Sequence, residues 1–291
     1  MRVPDIRYLQ VAQRSVEDRR ADYLQAQEQA LSGLRVNRPS DDPVAAARAG
    51  LMYSEQARLE GYGEAADHAA MFLQAQDDVL GDVSTVLSRG TEVAVQALNG
   101  TLSAEERTAL SYVADGLREE LAILSNRSVA GRYIFGGYAD DAPPFDAAGN
   151  YVGSTDAAEV FVGPGVKVPM GVTGDEVFTA GGRTGVFDAL SNLQTALQTN
   201  DRAGMQDALD RLQLAGNVVR DRWSLVGAYS ESVDAASALR EQRQYRVEDE
   251  LTAQVHADTF DVFGKLGQAR SALEAAVEIA SKLPPPGLLL G

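Results

Sequence analysis

A long apolar repeat is the strongest constraint in this sequence. From Leu59 to Ala97, positions alternately three and four residues apart form one seam, and ten of its twelve members are apolar. The pattern starts after Pro43 and stops at Asn99-Gly100, a pair that commonly ends helices. It predicts a helix of about 55 residues, roughly 80 Å long at about 1.5 Å per residue. No compact globule needs a helix of that length, so the fold should be elongated.

Further helices are predicted on both sides of a central window. Ser103 and Glu106 have the spacing of a capping box, which begins a helix that should end near Asn126. A short helix is expected over Val186 to Leu197, and a long one follows it. The apolar seam of that long helix fades over Arg240 to Arg246 and resumes in a shifted register, which indicates a joint between two helical pieces.

The central window, residues 131–184, has a different composition. It contains 11 of the 27 glycines and 7 of the 19 aromatic residues. The run Gly131 to Tyr138 is rich in aromatic and β-branched residues, so it predicts a strand that ends at a glycine turn. Shorter strands are expected at Tyr151-Val152, Glu159 to Val162 and Val166 to Val168. The window should therefore form a small antiparallel sheet.

Both ends of the chain are predicted to be amphipathic helices without a full apolar face. Leu9, Val16, Tyr23 and Ala30 are seven residues apart, and Leu31 widens the stripe, but the remaining seam positions are polar. Such a helix is marginal alone. A C-terminal seam includes Val262, Leu266 and Leu273. We therefore expect each end to require a partner, and we take these apolar residues as candidate subunit-assembly residues.

These patterns predict a mainly α protein with a small β-rich domain, built as an elongated antiparallel helical rod or coiled-coil-like bundle. The termini would pair at one end and the β domain would lie at the other. The expected segments are an N-terminal assembly helix at 1–43, rod helices at 44–130, the β-rich domain at 131–184, returning rod helices at 185–244 and a C-terminal assembly helix at 245–291. A rod whose terminal helices have apolar faces that need a partner is typical of a subunit in a fibre.

Composition argues against several classes of chemistry. The chain has no cysteine and only two histidines, His68 and His256, so thiol and imidazole catalysis or metal ligation have few candidates. A net charge of −16 disfavours nucleic acid and anionic membranes as partners, and the first 60 residues carry none of that excess. The longest apolar run, Ala69 to Leu73, is too short to span a bilayer. We expect no enzyme activity, no cofactor and no bound metal.

Four motifs carry a family resemblance. They are Ser32 to Asn37 with Ser40 to Pro43, then Leu87 to Thr101, then Gly131 to Tyr138, and finally Gly174 to Phe178. The first two are similar to the junction and rod motifs of the flagellin family. The last two, together with Asn37 to Pro43, resemble the members of that family that join the flagellar hook to the filament. The resemblance covers nearly the whole chain, with the motifs in the correct order.

The resemblance implies a structural, self-assembling protein of the bacterial flagellum, secreted through the flagellar type III export apparatus without a cleaved signal. Its expected partners are further copies of itself in a ring, flagellin, a sister hook-associated junction protein and an export chaperone. In that family the terminal segments are unfolded in the monomer and pair as an inner coiled coil on assembly, which here implies residues 1–43 and about 245–291. The resemblance also places Arg89, Glu92 and Val93 on a rod face that contacts neighbouring subunits.

One departure and two alternatives stay open. The tail Leu283 to Gly291 contains three consecutive prolines, which cannot continue a helix, so the last eight residues are expected outside the coiled coil. A short flagellin that forms the filament itself is an alternative function. A helical enzyme or ligand-binding scaffold with the β domain as a lid is another, and the scarcity of histidine argues against it.

Overall fold

A computed structural model describes residues 4–100, 102–179 and 185–282 of the chain. The Pro-rich tail beyond Lys282 lies outside these residues. In chain order the elements are α1 (Pro4–Ser32), α2 (Pro43–Leu98), α3 (Ala104–Ser125), β1 (Ser128–Val129), β2 (Arg132–Tyr133), β3 (Glu159–Gly163), β4 (Val166–Pro169), a π-helical turn (Asp175–Thr179), α4 (Val186–Thr199), α5 (Arg202–Val255) and α6 (Thr259–Lys282). The predicted fold class, mainly α with short antiparallel strands, is confirmed.

The long helix predicted from the apolar repeat is confirmed. Helix α2 has 56 residues, begins at Pro43 and ends at Leu98, just before Asn99-Gly100. The capping box of α3 is also present, because the Ser103 hydroxyl accepts from the Glu106 amide while the Glu106 carboxylate accepts from the Ser103 amide at 2.7 Å. Local sequence signals therefore place these helix ends correctly.

The joint predicted near Arg240 to Arg246 is wrong. Helix α5 continues through that stretch without a break and ends at Val255. The apolar seam fades there because most of those side chains are exposed, while the sequence contains no Gly or Pro that would stop the helix. The actual joint is His256 to Asp258. There the Asp258 carboxylate accepts from the Phe260 amide at 2.8 Å and caps α6.

The strand predicted over Gly131 to Tyr138 forms only in part. Arg132–Tyr133 pairs with Ser128–Val129, and a left-handed turn at Ala130 and Gly131 joins the two strands. The strands expected at Glu159 to Val162 and Val166 to Val168 are present as β3 and β4, which pair antiparallel. The described part of the window therefore contains two small sheets instead of the single sheet expected. Tyr151 makes a single bridge to Phe145 instead of a strand.

Beyond Tyr133, side chains bond the backbone groups that a sheet would have used. The Ile134 carbonyl accepts from the side-chain amide of Gln76, and the Phe135 carbonyl accepts from the Tyr151 hydroxyl at 3.0 Å. Burial raises the pKa of the Tyr151 hydroxyl to about 12, with a further contribution from the Asp175 charge. The segment thus folds as a compact loop on the helices.

The chain divides into two compact units. The central unit, Leu59 to Gln242, contains the main core, and the terminal unit contains the residues up to Arg58 and from Arg243. In the central unit, apolar faces of α2, α3, α4 and α5 pack together with an aromatic cluster from the β-rich loops. That cluster consists of Phe135, Phe145, Tyr151, Phe178 and Phe187, whose neighbouring rings lie 5.2–6.2 Å apart.

In the terminal unit, α1 packs along α6. The Ala257 amide, just before α6, donates to the carbonyl of Gly33, just after α1, at 3.0 Å, so the two helices run antiparallel. A second small core lies beside them, formed by Val36, Ala45, Ala49 and Val255. Among the described helices, none is long and apolar enough to cross a membrane.

The charge is divided very unevenly between the units. The terminal unit has 14 basic and 15 acidic side chains, a net charge of −1, while the central unit has 12 and 27, a net charge of −15. Nearly all of the net negative charge of the chain therefore belongs to the central unit.

Candidate assembly surfaces

The antiparallel pair of α1 and α6 contains most of the predicted assembly residues. Val262 is buried at 6% exposure, and Val16, Tyr23, Leu266 and Leu273 are half-buried, as expected for residues on the α1–α6 contact. Leu31 is different, because 82% of it is exposed. Leu9 lies within α1, but its side chain is outside the described residues.

The loop after α1 ties that pair to the rest of the terminal unit. Gly33 adopts a left-handed conformation (φ +71°), and its amide donates to the Gln29 carbonyl at 2.9 Å, which ends α1. Leu34 then forms an antiparallel bridge with His256, at the joint between α5 and α6. One short loop therefore touches the end of α1 and the joint before α6.

Arg35 is the most connected residue of this loop. Its backbone amide donates to the Val255 carbonyl at 2.8 Å, and its guanidinium donates to the Gln254 carbonyl at 2.7 Å. These are among the last carbonyls of α5, which have no partner within the helix. The same guanidinium bonds the Asp42 carboxylate at 2.9 Å. Arg35 thus caps the end of α5 and contacts the start of α2.

Two aspartates organise the remainder of the loop. The Asp42 carboxylate accepts from the Ala45 amide at 3.0 Å and caps α2. The hydrogen bond from Ala45, followed by that from Arg35, lowers the pKa of the Asp42 carboxyl. Asp41 accepts from the amides of Asn37 and Arg38 at 3.0 and 2.8 Å. The turn formers of the Asn37 to Pro43 motif therefore serve as local caps and turns.

The terminal unit also exposes many large apolar side chains. Phe260 is 92% exposed and Phe263 is 60% exposed, although both lie on the first turns of α6. Other large apolar side chains of the terminal unit are also exposed, on α1, α2, α5 and α6: Tyr8, Val11, Leu24, Leu31, Val44, Leu51, Tyr53, Tyr245, Val277 and Ile279. So many exposed apolar side chains are typical of an interaction surface. The heptad pattern missed the phenylalanines because they lie off the seam.

The three residues predicted to face neighbouring subunits on the rod lie in different environments. Glu92 is exposed and lines a groove between α2 and α5. Arg89 bonds Glu120 of α3 at 3.1 Å, with about half of each side chain exposed. Val93 is only 7% exposed and packs in the central core. A buried side chain cannot contact a neighbour, so the prediction for Val93 is corrected.

Gln76 is an important residue that sequence reasoning missed. It is only 1% exposed in α2, donates to the carbonyls of Ile134 and Val172, and accepts from the Val172 amide at 2.8 Å. The amide therefore attaches the loops of the β-rich region to the helices. Its sequence signal was a polar residue inside an otherwise apolar seam.

No described residues form a group of three or more His, Cys, Asp or Glu side chains suited to a metal ion. The Asp146 carboxylate accepts hydrogen bonds from the Asn150 side chain and from the Ala148 amide, and these bonds lower the pKa of its carboxyl. Its oxygens thus close a local turn.

Part of the chain with these long helices is similar to a known protein family. Residues 8–140 match the family model described as the bacterial flagellin N-terminal helical region. The matched segment covers slightly less than half of the chain.

The chain is also similar to flagellar hook-associated protein 3. The Escherichia coli and Salmonella typhimurium proteins of that name are each 35% identical over 167 residues, which is 57% of this chain and 53% of theirs. The chain thus spans about half the length of these two relatives. Flagellin FlaB1 of Treponema pallidum is 26% identical over 71% of this chain and 74% of its own length.

Solved structures establish the same fold. Bacillus cereus FlgL aligns with a TM-score of 0.60 at 20% identity, covering 69% of this chain and 99% of that one. Hook-associated protein 3 of Legionella pneumophila aligns with a TM-score of 0.63 at 14% identity, covering 70% and 98%. The arrangement of helices and short strands is therefore shared with flagellar hook-associated proteins.

Proposed function

We propose that this protein is an extracellular structural component of the bacterial flagellum that joins the hook to the flagellin filament. The observation that carries the proposal is the 35% identity to flagellar hook-associated protein 3 over 167 residues. The protein would act by assembly and not by catalysis. Its partners would be the hook side and the filament side of the junction.

We infer that the chain assembles with copies of itself into a ring through its terminal segments, residues 1–43 and about 245–291. Large exposed apolar side chains such as Phe260 and Leu31 support this role, because a neighbouring subunit could remove them from water. The small net charge of the terminal unit also supports it, since helices of low net charge can pack closely without strong repulsion.

The pairing of α1 with α6 leaves much of both helices exposed. Among the described side chains of these two helices, Ala26 in α1 and Val262 in α6 are buried, and the others are exposed or half-buried. Ordering a residue costs about 1–2 kcal/mol of backbone entropy, which so little burial hardly offsets. Assembly would supply the missing burial, so that the ends become fully ordered when neighbours pack on them.

The rod surface would supply further contacts. Of the three predicted rod contacts, Arg89 is paired with Glu120 and Val93 is buried. Glu92 is exposed and has no ion pair among the described residues. We propose flagellin and a sister hook-associated protein as the adjacent layers. We also propose delivery through the flagellar export apparatus with a chaperone. The lack of cysteine suits a chain that must remain unfolded and uncrosslinked during export.

Deletion of the gene tests the proposed function directly. The deletion strain should keep its hooks, shed flagellin into the medium and lose motility, and the wild-type gene should restore attached filaments. Electron microscopy of the cell surface and immunoblotting of the medium give the readouts. Normally attached filaments in the deletion strain would refute the junction role.

A filament-forming flagellin is the second candidate, favoured by the similarity to flagellin FlaB1 over 71% of the chain. The same deletion separates the two functions. Loss of a flagellin would remove the major filament protein from both cells and medium. Loss of a junction protein would instead leave flagellin abundant in the medium.

A further inference from the structure

The turn between α2 and α3 contains Asn99-Gly100, the one asparagine of the sequence that is followed by glycine. Helix α2 ends at Leu98, so both residues lie outside its regular hydrogen bonding, and both are exposed. The Asn99 amide donates to the Gln96 carbonyl at 3.1 Å, whereas the Gly100 amide donates to no described residue. The backbone nitrogen of Gly100 is therefore held neither by a helix nor by a sheet.

The space around Gly100 is open except for one cation. A Cβ added at this glycine would lie 3.9 Å from Nη1 of Arg202, and no other described atom outside its chain neighbours would come within 4 Å of it. Arg202 is the first residue of α5, is exposed and has no ion pair among the described residues. Glycine has no side chain to hinder a close approach of its backbone to a neighbouring group. The Gly100 nitrogen can thus approach the Asn99 side chain, with a positive charge nearby.

We propose that Asn99 is a site of spontaneous deamidation, a covalent change that converts its amide to an acid. Asparagine is among the chemically labile residues of proteins. The Gly100 nitrogen attacks Cγ of Asn99 and closes a five-membered succinimide ring, while Nδ2 takes up the proton of the Gly100 amide and leaves as ammonia. Water then opens the ring. Cleavage of the new bond between Cγ and the Gly100 nitrogen gives aspartate, and cleavage of the original peptide bond gives isoaspartate.

Arg202 assists this reaction through its charge. The Gly100 nitrogen must lose its proton before it attacks, and a nearby guanidinium favours the deprotonated form. The same charge stabilises the negative oxygen that forms as the ring closes. Because Arg202 is exposed, solvent and salt weaken this assistance.

The products change the turn in two ways. A carboxylate at position 99 lies just beyond the C-terminus of α2, where the helix dipole disfavours negative charge. Isoaspartate also lengthens the backbone by one carbon just before the capping box of α3, which begins at Ser103. Because the ammonia is lost, the change accumulates with the age of the chain. This inference rests on a turn of the central unit and holds whatever the chain assembles with.

Incubation of the folded full-length protein at mildly alkaline pH, followed by peptide mass spectrometry, tests the proposal. The peptide that contains Asn99 should gain the mass of an amide-to-acid conversion, and isoaspartyl methyltransferase should label part of the product. Gly100→Ala should slow the conversion by about tenfold or more, because a β-carbon hinders the approach of the nitrogen. This variant should fold normally, since its Cβ would make only an ordinary contact with Arg202 and Gly100 is not in the left-handed region. Arg202→Gln should slow the conversion by about two- to threefold, as expected for loss of an exposed charge.

Asn126 is the matched control within the same sample. It also follows directly on a helix, but its Nδ2 donates to the Phe145 carbonyl at 3.2 Å and its Oδ1 accepts from the Phe145 amide at 3.0 Å. Arginine follows it instead of glycine, so Asn126 should remain an amide. A denatured sample shows that the conditions suffice for the reaction at Asn99. If Asn99 converts in that sample but stays an amide in the folded protein, the proposal is overturned, and equal rates in wild type and Gly100→Ala would overturn it as well.

Discussion

Replacing Gln76 with alanine should lower the melting temperature of the central unit by about 6–12 °C. The side-chain amide bonds three buried backbone groups, the carbonyls of Ile134 and Val172 and the amide of Val172. The variant leaves these groups without their partner, and each buried group without a hydrogen bond costs about 1–3 kcal/mol. Taking the lower value for each gives about 3 kcal/mol. For a unit of about 180 residues, each kcal/mol lowers the melting temperature by about 2–4 °C.

Trp223 provides the assay. It is the only tryptophan of the chain, and its indole N–H donates to the carboxylate of Asp77, the neighbour of Gln76, at 2.6 Å. Its fluorescence during heating therefore reports unfolding of the central unit close to the altered residue. The terminal helices contain no tryptophan and contribute nothing to this signal.

Two further variants separate hydrogen bonding from volume. Gln76→Met keeps the volume of the side chain but makes no comparable hydrogen bonds, so it should be destabilised almost as strongly as Gln76→Ala. Gly171→Ala acts from the other side, because Gly171 has a φ of +147° and an added methyl group would collide with the Gln76 amide. It should also lower the melting temperature.

Gln74→Ala is the control for a general effect of truncating a glutamine in α2. Gln74 is exposed, and among the described residues it donates to Asp78 of its own helix and to no other side chain. Its replacement should change the melting temperature by less than about 2 °C. If Gln76→Ala melts at the same temperature as Gln74→Ala, the buried amide does not hold the β-rich region in place and the reasoning fails.

Four other outcomes are expected. Limited proteolysis of the monomer should trim both ends while sparing roughly residues 50–240, and ends that resist protease as well as the core does would contradict the marginal stability assigned to them. Leu273→Glu or Tyr23→Glu should leave the central unit folded but block incorporation into flagella, whereas Ser271→Glu, which adds the same charge at an exposed position of α6, should incorporate normally. Hydrogen bonds from Ser103 lower the pKa of the Glu106 carboxyl below its ordinary 4.5. The ionised carboxylate therefore stabilises the fold at neutral pH, and this stabilisation is lost as the pH falls through the lowered pKa. In thermal melts, the difference in melting temperature between wild type and Glu106→Ala should accordingly shrink in acid. Self-association measured by sedimentation should strengthen with salt, because salt screens the repulsion between central units of net charge −15. The Debye length falls from about 10 Å at 0.1 M to about 3 Å at 1 M salt. Weaker association at high salt would show that attractive charge pairs dominate.

Periodic and capping signals predicted the helices well, because they depend on residues close in sequence. The bounds of α2 and the capping box of α3 follow from such local patterns. The joint in the last long helix was misplaced because a fading apolar seam reports loss of packing and not the end of a helix. The Asp258 cap would have been the better signal, since it satisfies amide groups at the start of α6.

Long-range contacts by single side chains could not be predicted in the same way. Gly131 to Tyr138 has the composition of a strand, but Gln76 and Tyr151 bond its carbonyls from distant positions, so most of it forms a loop. The family resemblance placed Val93 on a face that contacts neighbouring subunits, but the helices of the central unit pack around this side chain and bury it. Arg35 belongs to a motif that the sequence singled out, but its partners on α5 lie more than two hundred residues away.

The loop between α1 and α2 and the joint between α5 and α6 contain residues that should tolerate substitution to different degrees during evolution. The bridge between Leu34 and His256, and the bond from the Ala257 amide to the Gly33 carbonyl, use main-chain atoms. Exposed His256 can therefore be exchanged for almost any residue except proline without losing the bridge. Arg35 and Asp42 contribute side-chain atoms that few other residues can supply. Homologous sequences should accordingly have many different residues at position 256 while they retain the Arg35–Asp42 pair.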